Sequence, residues 1–214
     1  MVDKLINLRK VEKMACLALK NGLRLHEDSI LLFKNKCYPS AFFLSVLVIE
    51  EIGKFFLLED FWWHSKIDGR MEEKWEKKFI GLIYHHSPKQ NSFAYSLGGP
   101  TTNSKFIGQL FKGDFEKIKQ DSVYVGLPKN KSKINLRGKI INPLKITKSQ
   151  AQKNITNIND RIIEFTLGIN KTVYSVETEC AEKFLNKILF KKLRKLWPII
   201  NASTKKKLDR LNTV

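Results

Sequence analysis

The sequence predicts an all-α protein, a helical bundle interrupted by one irregular basic insert. Apolar residues recur at helical spacing over long windows. Glycine and proline cluster at a few breaks, around Asp68-Gly69, Leu97-Gly98-Gly99-Pro100 and between Gly126 and Pro143. With 214 residues, 43% of them hydrophobic and 11% aromatic, the chain can bury a real core.

The first helix is expected over residues 6–36, where Val11, Met14, Ala15, Ala18, Leu19, Leu25 and Ile30 keep helical spacing and Asn21-Gly22 offers a place to bend. Pro39 is placed to open a second helix over 39–64, because its fixed φ suits a first turn and its missing N–H is not needed there. Asp68-Gly69 marks the next turn. A third helix is expected over 71–84, with Trp75 and Phe79 on one face and Pro88 ending or kinking it. A fourth follows over 104–120. Residues 123–146 read as a long loop, with room for a short hairpin. Thr147-x-x-Gln150 has the form of a capping box and opens a helix to about 174. A last helix over 177–196 stops at Trp197-Pro198, before a basic tail. The expected division is a helical core over 1–122, a basic loop or hairpin insert over 123–147, C-terminal helices packing on the core over 148–199, and a basic tail over 200–214.

Thirty-nine lysines and arginines face 21 acids, a net charge of +18, which favours an anionic partner. The excess is uneven. Ser122 to Asn159 contains eight bases and no acid, and Cys180 to the end adds ten bases against two acids. The candidate nucleic-acid contacts are Lys129, Lys131, Lys133, Arg137, Lys139, Lys205, Lys206 and Lys207. A merely soluble charged surface is the plainer explanation, but the asymmetry argues for an anion. No leader and no bilayer-length apolar run is visible, so a membrane is not an expected partner. Cys16, Cys37 and Cys180 are widely spaced and read as reduced thiols of a cytoplasmic protein.

The second helix is apolar on nearly all sides, yet Glu50-Glu51-Ile52-Gly53-Lys54 interrupts it. Charges in a buried helix are costly unless paired. Lys54 stands four after Glu50 and three after Glu51, so a lock within one turn is available. If helices two and three pack antiparallel about a turn near Ile67, His86-Ser87-Pro88-Lys89 comes within roughly 5–9 Å of the height of Glu51 and Lys54. The four candidates for a catalytic patch are Glu51, Lys54, His86 and Lys89, with Glu50 as an alternative to Glu51. A purely structural ion-pair set stands beside that reading with equal weight. No metal and no cofactor is expected, because a carboxylate-bridged metal bundle needs Glu-x-x-His and the third residue after Glu51 is Lys54.

These residues also carry a likeness. Ala15-x-x-Ala18, Ala41-x-x-x-Ser45, Glu50-Glu51-Ile52-Gly53-Lys54, Trp75-x-x-x-Phe79 and His86-x-x-Lys89, with the later Lys119-Gln120-x-x-x-Tyr124-Val125, resemble the AbiV-type abortive-infection family of the HEPN superfamily over about residues 10–128. The resemblance implies a HEPN-like bundle, a homodimer, and a bacterial anti-phage effector acting on RNA or a ribosome-associated target, with a phage protein as a candidate activator. It also raises a metal-independent endoribonuclease, in which His86 moves protons, Lys54 or Lys89 steadies phosphate charge and a glutamate orients them. Many HEPN ribonucleases carry Arg-x4-6-His. Here no arginine precedes His85 or His86 at that spacing, and Lys78, seven before His85, is the nearest substitute. The alternative is a non-catalytic RNA- or protein-binding dimer that inhibits gene expression.

Overall fold

The computed structural model describes residues 6–67, 69, 72–95, 103–130, 133–170 and 183–212. They form an all-α bundle, as the periodicity predicts. The helices are α1 (Leu8–Lys34), α2 (Tyr38–Ile67), α3 (Glu73–Leu82), α4 (His86–Tyr95), α5 (Ser104–Phe111), α6 (Asp114–Asp121), α7 (Lys148–Asn170), α8 (Lys187–Leu196) and α9 (Ala202–Asn212). Between α6 and α7 lie a two-residue antiparallel ladder, β1 (Lys129–Asn130) with β2 (Lys133–Ile134), and a 3-10 turn at Pro143–Lys145.

The apolar helix α2 lies at the centre, against α1, α4, α6 and α7. Val46, Val48, Ile49, Ile52, Phe55, Phe56, Leu58 and Phe61 are all buried within the one chain. Its apolarity is therefore covered within the one chain. The helix α7 adds Ile155, Ile158, Ile162, Ile163 and Phe165 to the buried core, and the Phe165 ring meets Phe56 edge-on at 4.4 Å.

Two glycines set the closest approaches. A Cβ on Gly22 would stand 2.7 Å from the Ile52 side chain, so this residue lets α1 close on α2 and does not interrupt α1. A Cβ on Gly53 would stand 1.9 Å from the Lys89 carbonyl oxygen, a collision with backbone that cannot swing away. Gly53 thus presses α4 onto α2.

The local signals explain most boundaries. Thr147 and Gln150 make the reciprocal capping box, Gln150 N–H donating to Thr147 Oγ1 at 3.2 Å and Thr147 N–H to Gln150 Oε1 at 2.8 Å. Pro88 does not end a helix. It sits in the first turn of α4, where its missing N–H costs nothing. The single helix expected over 104–120 is two, because Gly113 at φ 70° turns the chain and Asp114 and Glu116 open α6. The stretch read as a basic tail carries the helix α9, anchored by buried Thr204 and Leu208.

Cys16 is held in a disulfide, which corrects the expectation of three reduced thiols; spacing along a chain does not report which cysteines a fold brings together. Cys37 is a free, exposed thiol. No helix among the described residues is long and apolar enough to cross a membrane.

Candidate functional site

Glu50 and Glu51 are neighbours in sequence but point about 100° apart around α2, and the bundle gives them different surroundings. Glu51 faces α1. It pairs with Lys54 one turn on and accepts from Asn21 Nδ2 at 3.2 Å, in a half-buried contact. Glu50 faces α4 and α6 and is buried. Its Oε1 accepts from the Lys119 ammonium at 2.8 Å; its Oε2 meets His86 Nδ1 at 2.9 Å and Lys89 Nζ at 3.5 Å. Glu116 closes the ring, 2.6 Å from Lys119 Nζ and 3.6 Å from His86 Nδ1.

Of the four candidates, the fold brings His86 and Lys89 together and leaves Glu51 and Lys54 on the α1 side as a separate pair. The heights reckoned along a hairpin were near enough, but α4, not α3, supplies His86 and Lys89, and Gly53 sets the contact. Lys119 and Glu116 join them from α6. Lys119 stood in a segment that carried the family likeness, yet neither it nor Glu116 was a candidate.

The electrostatics follow from burial against pairing. Burial is the largest influence on Glu50 and opposes its charge, but hydrogen bonds from Lys119 and His86 together outweigh it and hold the carboxyl below the usual range. Burial likewise works against the Lys119 ammonium; Glu116 and Glu50 reverse this and raise its pKa. Both ions are therefore fixed in their charged forms at neutral pH. Two carboxylates balance two ammoniums, so the cluster has no net charge while the imidazole is neutral.

His86 is the half-exposed member, at 49%. With Nδ1 turned to the Glu50 carboxylate, a proton there donates to Glu50 and leaves Nε2 as the basic nitrogen. Glu50, His86 and Glu116 each offer one atom of a kind that binds divalent metals, all within 4.8 Å of one another. The Lys119 ammonium already bonds or closely approaches all three, at 2.8, 3.3 and 2.6 Å, so a metal would have to displace it.

A family model described as AbiV, of the HEPN type, matches residues 10–164. The chain belongs to the AbiV family. The matched stretch takes in α1 to α6 and most of α7, and with them the whole Glu50 cluster. AbiV membership supports an abortive-infection function of HEPN type. No curated protein and no solved structure matches the chain.

The candidate nucleic-acid residues divide by position. Lys133, Arg137 and Lys139 stand exposed on and after β2, and Lys205 and Lys206 are exposed on α9. Lys131 and the side chains of Lys129 and Lys207 lie outside the described residues.

Proposed function

We propose that this AbiV-family chain arrests infection by acting on RNA, with His86 as the proton-transfer group of a metal-independent endoribonuclease. The observation that carries the reading is the Glu50–His86 contact of 2.9 Å, which orients a half-exposed imidazole from a fully ionised, buried carboxylate. A carboxylate behind one ring nitrogen fixes the tautomer and readies the other as a base. His86 Nε2 takes the proton of a ribose 2′-hydroxyl as that oxygen attacks the adjacent phosphorus. The P–O5′ bond breaks, the 5′-oxygen leaves with a proton from solvent, and a 2′,3′-cyclic phosphate remains. Lys89 and Lys119 do not reach for phosphate in this scheme. Both are buried against Glu50, and their work is to keep it ionised and in place. Glu51 and Lys54 are architecture.

That same burial of both lysines favours a second reading, in which the cluster only locks α2, α4 and α6 together and the protein inhibits by binding. Incubation of the purified protein with total cellular RNA separates the two. The nuclease reading expects cyclic-phosphate ends that disappear in folded His86→Ala protein. Intact RNA with wild-type protein supports the binding reading, and cleavage unchanged in His86→Ala overturns His86 as the proton-transfer group. A homodimer, as the family likeness implies, and a phage protein as activator are part of either reading, and light scattering at micromolar concentration tests the former.

A further inference from the structure

A groove of about 980 Å³ runs between α6 and the insert, beside the Glu50 cluster. Glu116, Gln120, Tyr124, Leu127, Ile134 and Ile141 line it. Glu116 belongs to both places, since it lies in the groove wall and 3.6 Å from His86 Nδ1. The insert that forms the outer wall is tied down by the Gly126–Ile141 bridge and by Asn135 N–H donating to the Pro128 carbonyl at 2.8 Å. Gly138 is packed so closely on Pro128 that a Cβ would stand 2.7 Å from its ring. The wall is a built surface.

Resting on the RNA reading above, we propose that this groove seats an unpaired RNA base next to the phosphate served by His86. The charge arrangement selects that occupant. Lys133, Arg137 and Lys139 are exposed on the insert, whose residues from Ser122 to Asn159 include no acid. The groove itself holds two acids, Glu116 and Asp121, against one base, Lys117. An acidic peptide would carry its charges into those carboxylates. A nucleotide separates its parts: the phosphates stay on the basic insert while an uncharged ring enters. The Tyr124 ring, 64% exposed at the groove, offers a stacking face. Glu116, Gln120 and Asp121 can accept from or donate to a base edge, and the Gln120 amide is already oriented by Glu116 Oε1 at 2.9 Å.

The test is fluorescence anisotropy with two labelled single-stranded RNA octamers, one of uridines and one abasic at every position, across a range of salt. Wild-type protein should bind the base-bearing strand about five- to a hundredfold more tightly, the range that stacking supplies. Tyr124→Ala should bind both strands alike with its salt slope unchanged, and Tyr124→Phe should keep the preference. Combined Lys133→Ala, Arg137→Ala and Lys139→Ala should weaken both strands and flatten the slope by about 2. Tyr124 is exposed, so its variants should fold, as circular dichroism would show. A preference that survives in Tyr124→Ala overturns the groove assignment while leaving RNA binding intact. Failure of wild-type protein to bind either strand at low salt overturns the RNA reading itself, and the groove assignment with it.

Discussion

Glu50 and Glu51 are adjacent, chemically identical, and set in the same apolar helix, yet they do different work. Glu51 meets a lysine of its own helix and an amide of α1, in a contact partly open to water. Glu50 gathers His86, Lys89 and Lys119 from two other helices into a buried ring. What separates them is the angle of one residue around a helix. A carboxylate whose partner lies on its own helix adds little to tertiary structure. One whose partners lie 36 to 69 residues away ties elements together and, in the proposed function, holds a side chain for chemistry.

The largest break in this comparison should come from Glu50→Ala, which takes the carboxylate from the buried Lys89 ammonium and leaves Lys119 with Glu116 alone. Removing one partner of a buried ionic set costs about 3–5 kcal/mol, and urea denaturation should show a loss of that size. The Glu50 contribution should be intact above the ordinary carboxylate range and fade only as pH falls through its depressed folded pKa.

A third polar region, where α7 meets α1 and the chain around Asn201, sharpens the contrast because His26 and Asp160 are hydrogen-bonded there by neutral groups. Buried His26 bonds Asn159 at 3.0 Å and is pushed by burial to about 4. Asp160, accepting from Asn201 N–H at 2.8 Å, is raised by burial to about 6. The signs oppose. As pH falls from 6.5 to 4 the unfolded chain protonates His26 first and stability drops. As pH falls from 6 to 3.8 the native chain protonates Asp160 first and stability rises. Wild-type stability should therefore be nearly flat between about pH 6 and 4. Asp160→Asn should expose the His26 decline, roughly 2–3 kcal/mol across that window, readable as melting temperature against pH. A flat Asp160→Asn profile would show that His26 titrates normally.

Gly53→Ala should fall next, about 1–3 kcal/mol from overpacking against the Lys89 backbone. Its more telling effect is positional: α4 must move off α2, taking His86 and Lys89 from Glu50. The His86 ring resonances in NMR should shift even where the fold survives. Lys54→Met should have the smallest effect, about 1 kcal/mol, because the pair is partly open to water and Glu51 keeps Asn21 as a donor, and the variant should melt close to wild type.

Much of this was legible in the chain. The capping box at Thr147 and Gln150, the apolar α2 and the nearness in height of His86 to the Glu50–Lys54 stretch follow from spacing, whereas the pairing of His86 and Lys89 with Glu51 and Lys54 does not hold, since both meet Glu50. Two things were not. A pattern of Glu-Glu in a helix apolar all round gives no preferred face, so periodicity could not choose between Glu50 and Glu51. Lys119 and Glu116 lay behind a misread boundary. With residues 104–120 taken as one helix, nothing aimed Lys119 at α2. Gly113 followed by Asp114 was the available signal, a left-handed stop and an acidic start. Likewise Gly53 read as a helix-approach residue, but only coordinates show that its partner is the backbone of Lys89.

The central claim is that function sits on the Glu50 side of α2 and not on the Glu51 side. The most direct measurement is phage protection by cells carrying His86→Ala or Lys54→Met, each shown to be folded and present at wild-type level. The account predicts that His86→Ala abolishes protection and Lys54→Met keeps it. Protection lost in Lys54→Met and retained in His86→Ala would contradict it.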